Sequence, residues 1–147
     1  MFKNKTKIIT VSIFLIFMVV FVLVNPFGSK YDRQLKKAVK SISSEQVHIN
    51  EVIPFEWDAI YTFPAYTDKN TIENEIEIKS NKIKANDINE GMVHLIFVKG
   101  DKVLTTVLGY PDNLGYDIVF DHKITYEENA VFNVSQKNDV VTLEMIK

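Results

Sequence analysis

The sequence contains no cysteine among its 147 residues. A disulfide scaffold, a thiol nucleophile and a cysteine-ligated zinc site are therefore excluded. Glycine is also scarce: five glycines are scattered along the chain and form no phosphate-binding loop. No serine lies in the context of a nucleophile elbow. The sequence therefore predicts no catalytic residue, no cofactor and no metal site.

Arginine is almost absent, and the two charge signs are unevenly distributed. The first 30 residues carry four lysines and no acidic residue, whereas residues 31–147 carry 13 basic and 19 acidic side chains, a formal net charge of −6. Because affinity for nucleic acid depends largely on neutralising phosphates, an acidic domain is a poor partner for it. The excess of lysine over arginine, with frequent isoleucine and asparagine, is typical of an AT-rich bacterial genome.

One long hydrophobic run is present, residues 8–24, with the sequence IITVSIFLIFMVVFVLV. As a helix rising 1.5 Å per residue, these 17 residues just span a thin bilayer core. The run is long for a cleaved signal peptide, and bulky residues follow it where a peptidase requires small ones. We therefore predict an uncleaved transmembrane signal-anchor within residues 1–28, embedded in the lipid bilayer, and a soluble domain over residues 29–147.

The charges around this run do not decide its orientation. Three lysines precede it, and five basic residues follow it within 16 positions, so the positive-inside rule favours neither direction. Long C-terminal domains are translocated largely regardless of charge, and a signal-anchor lies at the extreme N-terminus. We expect a cytoplasmic N-terminus and an extracytoplasmic domain at the cell membrane. The alternative is a cytoplasm-facing domain whose basic helix contacts the inner leaflet.

Two helices are predicted from capping signals and periodicity. Ser29 is a suitable N-cap, and Asp32 stands three residues later as in a capping box. Apolar residues then recur at helical spacing: Tyr31, Leu35, Ala38, Val39 and Ile42. Thr67 is the predicted N-cap of a second, shorter helix, in which Ile72 and Ile76 lie one turn apart. Residues 47–54 fit either a short strand or an extended lead-in.

Two hairpins are predicted in the second half of the chain. Two apolar runs flank Gly100 and Asp101, and the first run is apolar enough for a central strand covered on both faces. A second hairpin is predicted around residues 137–139, and residues 116–126 are predicted to form an edge strand. The domain is therefore α+β, with a mainly antiparallel sheet of about five strands and one or two packed helices.

Aromatic residues are concentrated in the segment FEWDAIYTFPAY, residues 55–66, which holds the only tryptophan. The alternation predicts a strand that ends before Pro64 and has one face formed by Trp57, Ala59, Tyr61 and Phe63. Large rings are usually buried, so we interpret most of this row as core. The alternative is an exposed patch for a protein or glycan. Its candidate partner contacts are Trp57, Tyr61 and Tyr66.

The remaining candidates for chemistry are carboxylates and histidines. Glu56 and Asp58 flank Trp57, and on a strand both point away from it as a solvated pair. Asp117, Asp121 and His122 lie within six residues but match no calcium-loop spacing. These two groups support an alternative function, a small envelope enzyme.

Another histidine is predicted to be structural. His94 lies at every-second-residue spacing with Met92, Ile96 and Val98, on the same face of a predicted strand. This position is typical of a partly buried, hydrogen-bonded core histidine and not of a metal ligand.

The aromatic segment also carries a resemblance to known proteins. Its residues Phe55-Glu56-Trp57-Asp58, Tyr61, Phe63-Pro64 and Tyr66-Thr67 resemble a WDxxYxFxPYT-like element of small, uncharacterised bacterial envelope proteins, which are membrane-anchored or lipoprotein-like. The resemblance covers about residues 45–136, and Ala65 stands where that element has a proline. It implies an envelope location and a similar fold, and it carries over no catalytic residue. The expected function is a membrane-anchored extracytoplasmic interaction or accessory module.

Overall fold

The computed structural model describes residues 29–85 and 88–146. The predicted signal-anchor, with its hydrophobic run at residues 8–24, lies outside the described residues. Among the helices of residues 29–85 and 88–146, none is long and apolar enough to cross a membrane. The described chain has the predicted α+β class, with two four-stranded, mainly antiparallel sheets and a few helices.

The first sheet has the strand order β1-β7-β8-β5. Its strands are β1 (Gln46–His48), β5 (Tyr116–Val119), β7 (Val131–Lys137) and β8 (Val140–Met145). Neighbouring strands are antiparallel except for β5 and β8, which are parallel, with Ile118 opposite Leu143.

The second sheet has the strand order β4-β3-β2-β6 and is antiparallel throughout. Its strands are β2 (Ala59–Tyr61), β3 (Val93–Lys99), β4 (Lys102–Gly109) and β6 (Lys123–Thr125).

The prediction of a single sheet of about five strands was wrong. Residues 116–126, predicted as one edge strand, form two short strands that pair with different neighbours. Strand β5 pairs with β8 in the first sheet, and β6 pairs with β2 in the second. The chain passes from one sheet to the other between Val119 and Lys123, and this crossing divides the strands between two sheets.

The predicted first helix is confirmed as α1 (Lys30–Lys40). Ser29 and Asp32 form a complete capping box, and Leu35 and Val39 are fully buried on the apolar stripe. The hydrogen bonds of this capping box continue beyond the helix. The Thr105 hydroxyl lies 2.8 Å from Ser29 Oγ and donates to Asp32 Oδ1 at 2.7 Å. The start of α1 is therefore joined to strand β4.

The helix predicted after the aromatic segment is α3 (Lys69–Ile76), and its apolar pair Ile72 and Ile76 is buried. The predicted N-cap, Thr67, was one residue early. Asp68 is the N-cap, because its carboxylate accepts the backbone N–H groups of Asn70 and Thr71. A carboxylate that accepts two backbone donors at a helix N-terminus satisfies more of the orphan groups than a hydroxyl does.

The remaining helical pieces are short. Residues 47–54 are predicted as either a short strand or an extended lead-in, and they contain the end of β1 followed by helix α2 (Ile49–Val52). Helix α4 (Pro111–Leu114) precedes β5, and a 3₁₀ turn (Tyr126–Glu128) follows β6.

Both hairpins are confirmed. Gly100 and Asp101 join β3 to β4, and Asn138 and Asp139, both with positive φ, join β7 to β8. Strand β3 lies inside its sheet with six of its seven residues buried, as expected for a central strand covered on both faces.

Two apolar cores lie on opposite faces of the second sheet. The first core contains Leu95 and Phe97 of β3 together with Phe132 and Leu143 of the first sheet and residues of α1. The second core contains Ile96 and Val98 of β3, the apolar residues of α3, and Ile83, Ala85 and Ile88. The second sheet is therefore the central layer, with the first sheet and α1 on one side and α3 on the other.

His94 is a core histidine, as predicted. The residue is only 2% exposed, and its Nε2 lies 3.0 Å from the Lys84 carbonyl oxygen. Because a carbonyl oxygen only accepts hydrogen bonds, Nε2 carries the proton. Burial disfavours the charged ring and lowers the pKa of His94 from 6.5 to about 4. The hydrogen bond to the Lys84 carbonyl acts in the opposite direction and is the smaller effect.

This lowered pKa predicts a loss of stability in acid. As the pH falls from 6.5 to about 4, the unfolded chain takes up a proton at His94 that the folded chain refuses. The free energy of unfolding falls by about 3 kcal/mol between these two pH values. Below about pH 4, His94 causes no further loss. His94→Gln removes this part of the pH dependence in urea titrations at pH 7 and pH 4.5. His48→Gln, an exposed ring, is the matched control. Equal pH dependence in wild type and His94→Gln would contradict the assignment.

Candidate functional site

The aromatic segment is largely core, as predicted, but its residues do not share one face. Only Ala59–Tyr61 form strand β2, and Trp57, which precedes the strand, packs in the first core. Phe63 packs in the second core, with Tyr61 against it. The predicted alternation from residue 57 to residue 63 was therefore wrong, because the backbone leaves the strand geometry on both sides of β2.

The three candidate partner contacts have different surroundings. Trp57 is 2% exposed, whereas Tyr66 is 73% exposed and adopts a left-handed conformation with φ 65°. Tyr61 is partly buried, with its ring 6.4 Å from that of Phe63 and beneath the Lys123 ammonium at 5.2 Å. The structure does not bring these three residues into one surface, so their role as partner contacts stays a prediction.

A cleft of about 510 Å³ lies beside Trp57. We call it the Trp57 cleft. It is lined by Asn50, Ile53, Pro54, Phe55, Glu56, Trp57, Asp58, Lys99 and Tyr126.

The cleft forms where the chain passes between the two sheets. Helix α2 and residues 53–58 lead from β1 of the first sheet to β2 of the second. The 3₁₀ turn that contains Tyr126 leads back from β6 to β7, and Lys99 comes from the end of β3. Phe55 fixes the entering segment, because its ring packs edge-on against Tyr31 and Phe97, with centroids 4.9 and 5.2 Å apart.

Asp58 is the hydrogen-bonding centre of the cleft. Its backbone N–H donates to Val98 O at 2.8 Å, and its carbonyl accepts the Tyr126 N–H at 2.9 Å. Its carboxylate accepts the Gly100 N–H at 2.6 Å and lies 3.3 Å from Lys99 Nζ. The Gly100 N–H and Lys99 favour the charged form and lower the pKa of Asp58. Asp58 thereby joins β2, the β3–β4 turn and the 3₁₀ turn.

The mouth of the cleft carries two carboxylates and one ammonium. Glu56 lies 3.5 Å from the same Lys99 Nζ, and its side chain is 87% exposed. The hydrogen bond and charge of Asp58, with a smaller contribution from Glu56, raise the pKa of Lys99. The predicted description of Glu56 and Asp58 as a solvated pair agrees with this exposure, and the excess of one carboxylate makes the mouth negative.

Two residues that line the cleft each carry a buried polar atom without a hydrogen-bond partner in the described chain. One is the indole nitrogen, Trp57 Nε1, and the other is Asn50 Oδ1. Asn50 uses its other amide atom, Nδ2, to donate to Tyr126 O at 2.7 Å. Buried polar groups in native structures are nearly always hydrogen-bonded. The unpaired donor of Trp57 and the unpaired acceptor of Asn50 are therefore exceptions, and each retains the capacity for one more hydrogen bond.

Tyr126 forms the outer wall. Its ring packs edge-on against the Trp57 ring with centroids 5.3 Å apart, and the residue is 50% exposed. Sequence reasoning did not find Asn50, Lys99 or Tyr126. They come from other parts of the chain, and no local motif connects them to residues 56–58.

The second candidate group, Asp117, Asp121 and His122, does not form a compact cluster. Asp117 lies on β5 of the first sheet, where burial raises the pKa of its carboxyl. His122 precedes β6 of the second sheet, forms an ion pair with Glu75 and packs its ring 5.3 Å from that of Phe63. Within residues 29–85 and 88–146, no group of three or more potential metal ligands converges.

Comparisons with models of known protein families, with curated proteins and with solved structures find no match to this chain.

The Asp58 contacts predict an acid-sensitive contribution to stability. Because the folded-state pKa of Asp58 is lowered, its contribution is present above the ordinary value of 3.8 and is lost as the pH falls through the lowered pKa. Asp58→Asn is therefore expected to have a lower urea midpoint than wild type at pH 7, with the difference shrinking at about pH 2. Glu56→Gln, the more exposed neighbour, is the control and changes the midpoint less. Equal midpoints for wild type and Asp58→Asn at pH 7 would refute this role.

Proposed function

We propose that the chain is a membrane-anchored extracytoplasmic module that binds an envelope partner through the Trp57 cleft and has no catalytic activity. The observation that carries this proposal is the Trp57 indole, buried in the wall of a cleft with its N–H unpaired. A buried unpaired donor costs about 1–3 kcal/mol. A partner that accepts this hydrogen bond recovers that free energy on binding.

The location part of the proposal rests on the sequence. The uncharged run at residues 8–24 supports an anchor. Long domains that follow a span are translocated largely regardless of charge, which supports an extracytoplasmic domain. The acidic character of residues 31–147 argues against nucleic acid as the partner.

Catalysis is less well supported than binding. Both carboxylates near Trp57 lie close to Lys99, and the lowered pKa of Asp58 keeps it charged, which is unfavourable for a general acid. Asp117 and His122 belong to different sheets. Neither group has the geometry of an oriented acid–base pair.

Orientation is tested with a single cysteine, which the natural chain lacks. Asn81 is exposed in a turn, so Asn81→Cys presents a thiol to solvent. We expect a membrane-impermeant maleimide to label this variant in intact bacterial cells as fully as in permeabilised cells. Labelling that requires permeabilisation would place the domain in the cytoplasm instead.

Contact through the cleft is tested by photocrosslinking in intact cells. Benzoylphenylalanine in place of Glu56 or Tyr126 is expected to give the same discrete adduct, because both side chains line the cleft. The same probe in place of Ser135, exposed on the first sheet, is the control and is expected to give none. Equal adducts from all three positions, or adducts from Ser135 alone, would contradict binding at the cleft.

A further inference from the structure

The unpaired atoms of Trp57 and Asn50 would be satisfied by a ligand that both accepts and donates hydrogen bonds. The indole Nε1–H of Trp57 is a donor only, and Oδ1 of Asn50 is an acceptor only. The two residues line the same cleft, and neither atom has a partner in the described chain. A peptide group carries one N–H and one C=O, so an extended polypeptide supplies both functions. Sugar hydroxyls do so as well, and other features separate the two classes.

The first such feature is charge. Glu56 and Asp58 share the single ammonium of Lys99, at 3.5 and 3.3 Å, so the mouth has one uncompensated negative charge. The Asp58 carboxylate is further engaged by the Gly100 N–H, which leaves the 87% exposed Glu56 side chain as the free acceptor. Residues 31–147 as a whole carry a formal net charge of −6. These charges favour a cationic group on the ligand and repel an anionic one.

The second feature is the burial of the indole at the cleft. Stacking of a sugar ring on an indole needs its flat face to be open. Trp57 is 2% exposed and is turned edge-on to Tyr126. A side chain or a peptide plane entering between the walls needs no such platform.

The third feature concerns access, because both unpaired atoms are buried from solvent. The backbone of Tyr126 is fixed, since its N–H donates to Asp58 O and its carbonyl accepts from Asn50 Nδ2. Its side chain is not fixed in this way: the residue is 50% exposed, and exposed side chains change rotamer readily. An outward rotation of this ring would remove its contact with the Trp57 ring and would leave the backbone hydrogen bonds intact.

We propose that the Trp57 cleft binds an extended segment of a partner polypeptide that carries a lysine or arginine side chain, and that the Tyr126 ring rotates outward to admit it. A peptide carbonyl of the segment accepts from Trp57 Nε1–H, a peptide N–H of the segment donates to Asn50 Oδ1, and its basic side chain pairs with Glu56. The inference rests on the proposed function, since it names the ligand class of that same cleft.

The test uses the fluorescence of Trp57, the only tryptophan in the chain. The full-length protein in detergent micelles is titrated with a pool of blocked pentapeptides that have a central lysine and randomised flanking positions without tryptophan. The matched pool has norleucine in place of lysine, and N,N′-diacetylchitobiose is the glycan probe. We expect a saturable change in Trp57 emission with the lysine pool and about tenfold weaker binding of the norleucine pool.

Variants separate recognition at the cleft from general attraction to an acidic protein. Glu56→Gln is expected to weaken binding of the lysine pool about threefold to fivefold, as for loss of one exposed ion pair. Glu127→Gln, an exposed carboxylate next to Tyr126, removes the same charge and is expected to leave the affinity unchanged. Asn50→Asp, which loses the donor to Tyr126 O, releases the backbone that carries the ring and is expected to increase acrylamide quenching of Trp57. Equal weakening by Glu56→Gln and Glu127→Gln would overturn the proposal.

The remaining outcomes distinguish this inference from the proposed function. Saturable binding of diacetylchitobiose without a response to either peptide pool would overturn the peptide assignment and retain the cleft as a binding site. No response to any probe would also overturn it, and the crosslinking at Glu56 and Tyr126 would then decide separately whether the cleft contacts a partner.

Discussion

The alternation of side chains along strand β3 is the constraint on which both cores depend. Leu95 and Phe97 point into the first core, shared with the first sheet and α1, while Ile96 and Val98 point into the second, beneath α3. A shift of one residue in register would exchange the two faces. The register is fixed on both sides, by β4 and by β2, and His94 adds a polar contact to Lys84 on the face of the second core.

The Trp57 cleft is a consequence of dividing the strands between two sheets. The described strands cross between the two sheets four times, and the crossings before β2 and after β6 occur at the same end of the structure. Asp58 joins them through its contacts to Tyr126, Val98 and Gly100. Crossing segments have no ladder partner along their length, so side chains such as Asn50 complete their hydrogen bonding. Polar groups are consequently brought beside a buried indole.

Local features were predictable from the sequence, and long-range ones were not. The capping box of Ser29 and Asp32 and the turns at Gly100 and Asn138 involve residues close in sequence, so their chemistry is visible in the sequence itself. The division of residues 116–126 between two sheets depends on which distant strand each part meets. The candidate site was predictable only at residues 56–58. Asn50 and Tyr126 are 76 positions apart, and only the fold shows that they meet.

The contact between Ser29 and Thr105 has a mechanical consequence. Ser29 is the first described residue after the predicted anchor, and its hydroxyl lies 2.8 Å from that of Thr105 on strand β4. A pulling force applied through the N-terminal segment enters the domain at this residue. Because Asp32 holds both hydroxyls, the load is divided between the first turn of α1 and the edge of the central sheet. A force applied at Ser29 would therefore reach the edge strand β4 as well as the first turn of α1.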